Sequence, residues 1–251
     1  MIVYSKKRAD FTRDTLNNNI EDIILKAIKR SGVSVAENEV RSWRNSLPRM
    51  NDVLQLAQTP EDAGVSIEYR IPLSSKRIDF ILTGRDKENR ETVVIVELKQ
   101  WQTAKRTAKD GIVSTTINRS EREVTHPSYQ AWTYARLLED YNETVQDELI
   151  GLQPCAYLHN CVSDSEINHA FYHLYTDKAP SFLKHEAKDL ANFIKKFVVY
   201  GDSNDIMYRI DNGKIRPSKN LADNLVSLLE GNQEFVMIEE QKHVYELTFP
   251  I

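Results

Sequence analysis

Cysteine, glycine and proline are scarce in this chain, and no apolar run is long enough to cross a membrane. Its 251 residues include two cysteines, eight glycines and eight prolines. Two cysteines exclude the disulfide framework of a small secreted protein. The first eight residues lack the apolar stretch of a secretory signal, so we expect a cytosolic location. With 41% hydrophobic residues, the chain can bury a full core.

An excess of positive charge is also absent. The 33 lysines and arginines are outnumbered by 37 aspartates and glutamates, which gives a net charge of −4. This balance argues against a protein that coats nucleic acid through bulk electrostatics.

Local clusters of positive charge are nevertheless present. Lys105, Arg106 and Lys109 lie in an acid-free stretch, 102–109, and Arg119 and Arg122 follow. Such a connection suits a phosphate backbone, whereas the alternative interpretation is a solvated loop. Two tryptophans are available to stack on bases, Trp101 and Trp132.

Two strand-like hydrophobic runs, 77–82 and 93–99, carry charged residues where a core is expected to be apolar. Asp79 lies in the first run, and Glu97 and Lys99 lie in the second. Burying an unpaired charge costs on the order of several kcal/mol or more. A divalent metal shared by the two acids offsets that cost and creates a hydrolytic site.

The two-residue period of a strand predicts how these side chains point. Arg77, Asp79 and Ile81 are expected on one face of the first strand. Glu97 and Lys99 point the same way at the carboxyl end of the second strand, where Asp79 can approach them. Oxygen ligands suit Mg²⁺ or Mn²⁺, and a lysine beside the metal can hold or deprotonate the attacking water.

The motif of Asp79 followed by Glu97, Leu98 and Lys99 resembles the PD-(D/E)XK nuclease superfamily, which has a restriction-endonuclease-like α/β core. Gln130 and Tyr134 resemble the Gln-x-x-x-Tyr motif of its RecB-type and lambda-exonuclease-like branches. In those enzymes the motif lies on the helix after the catalytic strand, and residues 127–141 form a predicted helix here.

Six further segments resemble the amino-terminal nuclease-like region of bacterial proteins in which a superfamily 1 helicase-like ATPase domain follows. The segments are 42–47, 67–72, 75–79, 97–101, 126–131 and 155–160. No Gly-x-x-x-x-Gly-Lys-Ser/Thr phosphate loop is present in the chain. The chain is therefore either a domain of a longer protein or acts without its own motor.

The resemblance implies a Mg²⁺- or Mn²⁺-dependent hydrolase of DNA phosphodiester bonds that acts in bacterial defence or repair. It assigns metal binding to Asp79, Glu97 and the Leu98 carbonyl, and orientation of water or charge balance to Lys99. Gln130 and Tyr134 then position Lys99 or the substrate strand. The other candidates are Glu68 as an auxiliary acid and, for substrate binding, Arg77, Trp101, Lys105, Arg106 and Lys109. Glu39 and Glu21 are alternative auxiliary acids.

Periodicity predicts strands and helices in residues 1–162, and the resemblance implies that they form a nuclease core with a mixed central sheet flanked by helices. Residues 163–251 are expected to form a mainly helical extension. Strands are expected at 65–71, 77–83, 92–99 and 154–159. A helical pattern beginning at Val40 is expected to be kinked or divided by Pro48. The extension is expected to contain helices at 187–200 and 218–229 and a terminal hairpin between 236 and 247.

Each of these features also has a structural interpretation. Asp79 and Glu97 can be surface carboxylates with Lys99 as a salt-bridge partner, and Tyr134 can be a core residue with a wet hydroxyl. His126 is interpreted as a helix-start residue and not as a ligand. At the level of function, the alternatives are a catalytically silent nuclease fold that binds nucleic acid or docks a helicase, and a protein-interaction module.

Overall fold

The computed structural model describes residues 2–72, 74–163 and 165–218, and these form an α/β fold. A mixed six-stranded sheet lies between helices, and a second sheet of three strands packs beside it. The strands are β1 (Tyr4–Lys7), β2 (Gly64–Arg70), β3 (Arg77–Arg85), β4 (Glu91–Lys99), β5 (Lys105–Arg106), β6 (Ile112–Ile117), β7 (Ser120–Thr125), β8 (Gly151–Leu158) and β9 (Ser181–Leu183). The helices are α1 (Arg8–Leu16), α2 (Ile20–Arg30), α3 (Glu37–Leu56), α4 (Pro127–Tyr141), α5 (Glu143–Asp147), α6 (His173–Thr176), α7 (Ala187–Phe197) and α8 (Ile206–Asn212).

The central sheet has the strand order β1-β2-β3-β4-β8-β9. Strands β1 to β4 pair antiparallel in this order, with α1, α2 and α3 between β1 and β2, whereas β4, β8 and β9 run parallel to one another. A parallel connection needs a crossover, and the segment from β5 through α5 supplies it between β4 and β8. The strands predicted at 65–71, 77–83, 92–99 and 154–159 are confirmed as β2, β3, β4 and β8.

Each face of the central sheet has its own apolar core. Val94 and Val96 of β4 pack with helices α1, α2, α3 and α7 on one face. Val93 and Ile95, the alternate residues of the same strand, pack with α4, α5 and α8 on the other. Because both faces are covered, β4 is apolar along almost its whole length until it reaches Glu97.

Helix α3 continues through Pro48, so the expected division of this helix was wrong. A proline in a helix interior removes one backbone hydrogen bond and strains the preceding turn. Buried side chains on both sides of Pro48, among them Trp43, Leu47 and Met50, anchor the helix to the sheet. Tertiary packing thus outweighs the local preference of the proline.

Helix α4 begins as the sequence predicts, with His126 at the cap and Pro127 at the first position. The buried His126 ring accepts a hydrogen bond from the Ser128 N–H at Nδ1 (3.1 Å), and its Nε2 lies 2.8 Å from the Ile167 carbonyl oxygen. Burial lowers the pKa of His126 to about 4, which keeps the ring neutral at neutral pH.

The part of the chain after residue 162 contributes to the central sheet as well as to helices. β9 pairs with β8, and α7, predicted at 187–200, packs on the core. Most of the helix expected at 218–229 and the whole terminal hairpin lie outside the described residues.

Among the described residues, none of the helices combines the length and apolar character that membrane crossing requires.

The chain after α7 packs directly against the backbone of β3, which gives a test of the fold. A Cβ at Gly84 lies 2.5 Å from the Tyr200 carbonyl oxygen, whereas a Cβ at Gly151 meets nothing closer than 3.7 Å. We expect Gly84→Ala to lower the free energy of unfolding by about 2 kcal/mol, because a well-packed backbone has to shift. Gly151→Ala is the control and should change it by less than about 0.5 kcal/mol. Urea denaturation measures both, and equal effects of the two variants would contradict this packing.

Candidate functional site

A pocket of about 410 Å³ opens at the carboxyl end of β4, beside the amino end of β3. It lies between α3, which contributes Ser42, and α4. Seven residues that the sequence singled out line it, namely Arg77, Asp79, Glu97, Leu98, Lys99, Gln130 and Tyr134. The chain thus brings together groups that are up to 57 positions apart in sequence.

Asp79 lies where strands β3 and β4 stop pairing. The ladder between the two strands ends at Phe80 and Val96. One position further along, the Asp79 Oδ2 atom accepts a hydrogen bond from the Leu98 N–H at 2.9 Å. This hydrogen bond links the ends of the two strands and fixes the Asp79 carboxylate at the pocket wall.

The predicted facing of β3 was wrong in one respect. Ile78 and Ile81 belong to one apolar core, while Phe80 and Leu82 belong to the other. Strict alternation would put Ile78 with Phe80, so the two-residue period breaks at Asp79. The strand therefore changes its facing at Asp79, next to Phe80, where the pairing with β4 ends.

Glu97 and Lys99 point the same way from β4, as the sequence predicts. The Lys99 Nζ donates to the Glu97 Oε1 at 2.6 Å, and both side chains are largely buried. The Lys99 Nζ also lies 5.5 Å from the centre of the Trp101 ring. The ammonium group is therefore held between a carboxylate and an aromatic face at the mouth of the pocket.

The Asp79 and Glu97 side chains line the same pocket. Burial raises the pKa of Asp79, while the Lys99 charge, the Leu98 N–H and the neighbouring Glu97 carboxyl lower the pKa and so oppose that rise. Two neighbouring acids hold a proton more strongly than one acid in water does.

Glu68 is buried below the same pocket, with only 4% of its surface exposed. Its φ of +59° is left-handed, a conformation that a non-glycine residue rarely adopts within a strand. The Trp43 indole donates to the Glu68 Oε1 at 2.6 Å, and Arg77 forms an ion pair with the other oxygen. Burial and the neighbouring Asp79 raise the pKa of Glu68 to about 7.

Arg77 connects Glu68 to helix α3. Its Nη2 donates to the Glu39 Oε1 at 2.6 Å, while its Nε faces Glu68. Of the two helical glutamates that the sequence left open, Glu39 therefore reaches the site through Arg77. Glu21, on α2, instead accepts a hydrogen bond from the Arg44 Nε of α3 at 3.0 Å.

Gln130 and Tyr134 come to the pocket from one face of α4, as their spacing predicts. The Gln130 amide donates to the Tyr134 hydroxyl at 2.6 Å. The Tyr134 ring is buried in the core beneath the pocket, so its hydroxyl is held at the wall.

The basic residues after Lys99 do not line the pocket: Lys105 and Arg106 form β5 of the small sheet, and Lys109 lies in the connection between β5 and β6. Lys105 forms an ion pair with Glu121, and Lys109 forms one with Glu123. The Arg106 guanidinium contacts the His169 ring. The connection is thus an ordered sheet whose lysines already have partners.

Sequence reasoning missed several residues that line or support the pocket. Arg70 and Lys76 add positive charge to its wall, and Ser75 adds a hydroxyl group. Trp43 supports Glu68 from α3. Lys76 is next to Arg77 in the sequence, and this adjacency was the available signal. Nothing in the sequence indicates that Trp43 reaches Glu68, because the two lie on different elements.

The residues present fit a divalent cation held by few protein ligands. Asp79 and Glu97 supply two carboxylates at the pocket wall, and Arg70, Lys76, Arg77 and Lys99 also line it, so the wall carries more cationic than acidic side chains. Mg²⁺ typically uses one or two carboxylates and keeps several waters, so two acids and a backbone carbonyl are a sufficient set. No group of three or more His, Cys, Asp or Glu side chains is arranged to hold a metal in the part of the chain that the structure describes.

Comparison of the chain with family models, with curated proteins and with solved structures gave no match.

The raised pKa of Glu68 makes the stability of the metal-free chain depend on pH. The folded state favours the protonated acid, so this contribution is complete below the ordinary value of 4.5 and is lost as the pH rises through about 7. Glu68→Gln stays neutral and still accepts from Trp43. The Tm of this variant relative to the parent chain should therefore be higher at about pH 8.5 than at about pH 5 in chelator.

Thermal unfolding monitored by circular dichroism measures this difference. Glu37→Gln, at an exposed position of α3, is the control and should show no such pH dependence. A Glu68→Gln variant that loses relative stability at high pH would contradict the burial argument.

Proposed function

We propose that this chain is a metal-dependent nuclease that hydrolyses DNA phosphodiester bonds. The observation that carries the proposal is the convergence of Asp79, Glu97 and Lys99 in one pocket that Gln130 and Tyr134 also line. A buried pair of acids beside a lysine has little structural benefit, because apolar residues fill such a position at lower free energy. A catalytic role explains why these groups are buried together.

The charges around the pocket suit a phosphodiester. The acids lie at the junction of β3 and β4, and Arg70, Lys76 and Arg77 lie around them. A phosphate bound in this pocket would contact the basic side chains and would also lie beside a cation held by the acids. Both would offset its negative charge. The pocket wall is predominantly polar, and it therefore accommodates a charged backbone and not an apolar ligand.

In the proposed mechanism, Asp79, Glu97 and the Leu98 carbonyl hold the Mg²⁺ or Mn²⁺ ion. When bound, such an ion polarises the phosphate and lowers the pKa of a bound water. Lys99 orients the attacking water or balances the negative charge that develops on the phosphate. The Gln130 and Tyr134 pair restricts where the substrate strand and the Lys99 side chain lie.

A catalytically silent nuclease fold is the second candidate. One observation favours it, since only two acids contribute directly to the proposed ion site and the described residues show no three-acid cluster. This candidate requires DNA binding without cleavage in either Mg²⁺ or Mn²⁺. Association with a helicase-like ATPase and a role in defence or repair are parts of the proposal that the resemblance alone supports, whereas the proposed cytosolic location rests on the amino-terminal sequence.

Asp79→Asn and Lys99→Met test the catalytic assignment. Each replacement nearly keeps side-chain size, but it removes a charge from the site, and we expect cleavage to fall by at least about 100-fold. Circular and linear DNA substrates, single- and double-stranded, should be incubated with Mg²⁺, with Mn²⁺ and with chelator. Cleavage of closed circles would identify an endonuclease.

Asp22→Asn and Lys26→Met are the matched controls, since both are exposed positions on α2. They should cleave as the parent chain does. If Asp79→Asn and Lys99→Met retain normal activity while folded, the proposed site is wrong. If the parent chain binds DNA and cleaves nothing with either metal, the silent candidate is favoured.

Tyr134→Phe tests the role of the α4 pair. The variant keeps the buried ring but loses the hydroxyl that accepts from Gln130. We expect kcat to fall by about tenfold with little change in Tm, because the lost contact lies at the pocket wall. Unchanged kcat would restrict Tyr134 to a role in the core.

A further inference from the structure

The hairpin formed by β6 and β7 extends beyond the core that supports it. Its base is buried at Ile112 and Val113, and Thr125 is buried at the other end. Towards the turn, Thr116 is exposed, and so is every residue in 118–123. The outer half of this ribbon therefore presents side chains and backbone to the surroundings.

The turn of the hairpin is built in an unusual way. Ile117 pairs with Ser120, so the loop has two residues, Asn118 and Arg119. Their φ values are +51° and +64°, as in a type I′ turn. Asparagine suits the first position, but glycine is the usual residue at the second. Arginine is disfavoured there, and it places a cation at the outermost point of the ribbon.

The charges of the ribbon differ between its two faces. Glu121 and Glu123 pair with Lys105 and Lys109 on one face. Arg122 lies opposite Thr115 in the ladder and so belongs to the other face. Within the described part of the chain, neither Arg119 nor Arg122 has an acidic partner. The face that carries Arg122 packs on the core through Val113 and Val124 at the base of the ribbon, so the positive charge without an acidic partner is confined to the exposed outer half, on Arg119 and Arg122.

The ribbon lies within reach of the proposed active site. Thr115 donates to the Thr103 carbonyl oxygen at 2.7 Å, and Thr103 follows Lys99 by four residues. From the length of an extended chain, the tip lies within about 30 Å of Lys99. This distance corresponds to about nine base pairs of duplex at 3.4 Å each.

We propose that the β6–β7 ribbon binds double-stranded DNA next to the cleavage site, with Arg119 and Arg122 contacting the groove and its phosphates. The proposal rests on the proposed function for its ligand. A two-stranded ribbon fits the major groove, and arginine is the side chain that most often contacts duplex DNA there. Single strands are instead bound by stacking on aromatic rings, and residues 112–125 contain no aromatic side chain.

The test uses fluorescence anisotropy to measure binding of a duplex of about 30 base pairs in chelator at several salt concentrations. We expect the double variant Arg119→Gly with Arg122→Gln to bind about tenfold more weakly, with a salt dependence reduced by about one to two phosphate contacts. Arg119→Lys keeps the charge and should stay within about threefold of the parent chain. Arg30→Gln, exposed at the end of α2, is the control and should bind normally.

Folding and binding are separable in this experiment. Arg119→Gly alone should keep or raise the Tm, because glycine suits the left-handed position, while it weakens binding. A double variant that binds duplex as tightly as the parent chain would overturn the proposal. Weaker binding of an oligo-dT single strand with unchanged duplex binding would overturn the choice of duplex.

Cleavage assays with Mg²⁺ distinguish this proposal from the proposed function. If the parent chain does not cleave but its duplex affinity depends on the two arginines, the nuclease proposal fails and the ribbon proposal is supported. If the parent chain cleaves and the double variant binds and cleaves equally well, only the ribbon proposal fails.

Discussion

The site depends on one hydrogen bond, from the Leu98 N–H to the Asp79 carboxylate, at the point where β3 and β4 separate. A buried carboxylate needs donors or positive charge, and this backbone donor supplies part of that requirement. With Asp79 held there, its side chain lines the same pocket as that of Glu97, and Lys99 closes the arrangement from β4. The Asp79 contacts form beyond Phe80 and Val96, where the pairing of the two strands has ended.

The supporting network below the pocket has the same physical basis. Glu68 adopts a left-handed conformation and lies beside Asp79, where a third acid raises the free energy of the folded state. The Trp43 indole and the Arg77 guanidinium offset this charge, and Arg77 extends the network to Glu39 on α3. Trp43, Glu68, Arg77 and Glu39 therefore form one connected network. It also links the position of α3 to the electrostatics of the pocket.

Local patterns predicted much of the framework, but not its exceptions. The β-branched run that forms β4 identified a fully buried strand, and Pro127 identified the start of α4. The change of facing at Asp79 was not predictable from a two-residue period, since it arises from packing against two separate cores. Pro48 gave a strong local signal that the packing of α3 overrode. The basic stretch after Lys99 was interpreted as a loop, because ion pairs with Glu121 and Glu123 are invisible without the fold.

The sequence alone identified the candidate site residues through the resemblance, and strand and helix periods placed Glu97 with Lys99 and Gln130 with Tyr134 on common faces. It also determined the α/β class through the alternation of buried strands and amphipathic helices. Only the tertiary structure decided that these pairs share one pocket with Asp79, and that Glu68, Trp43 and Arg77 support it. The physical reason is that local periodicity specifies where a side chain points on its own element. The distance and charge of its neighbours depend on how distant elements pack.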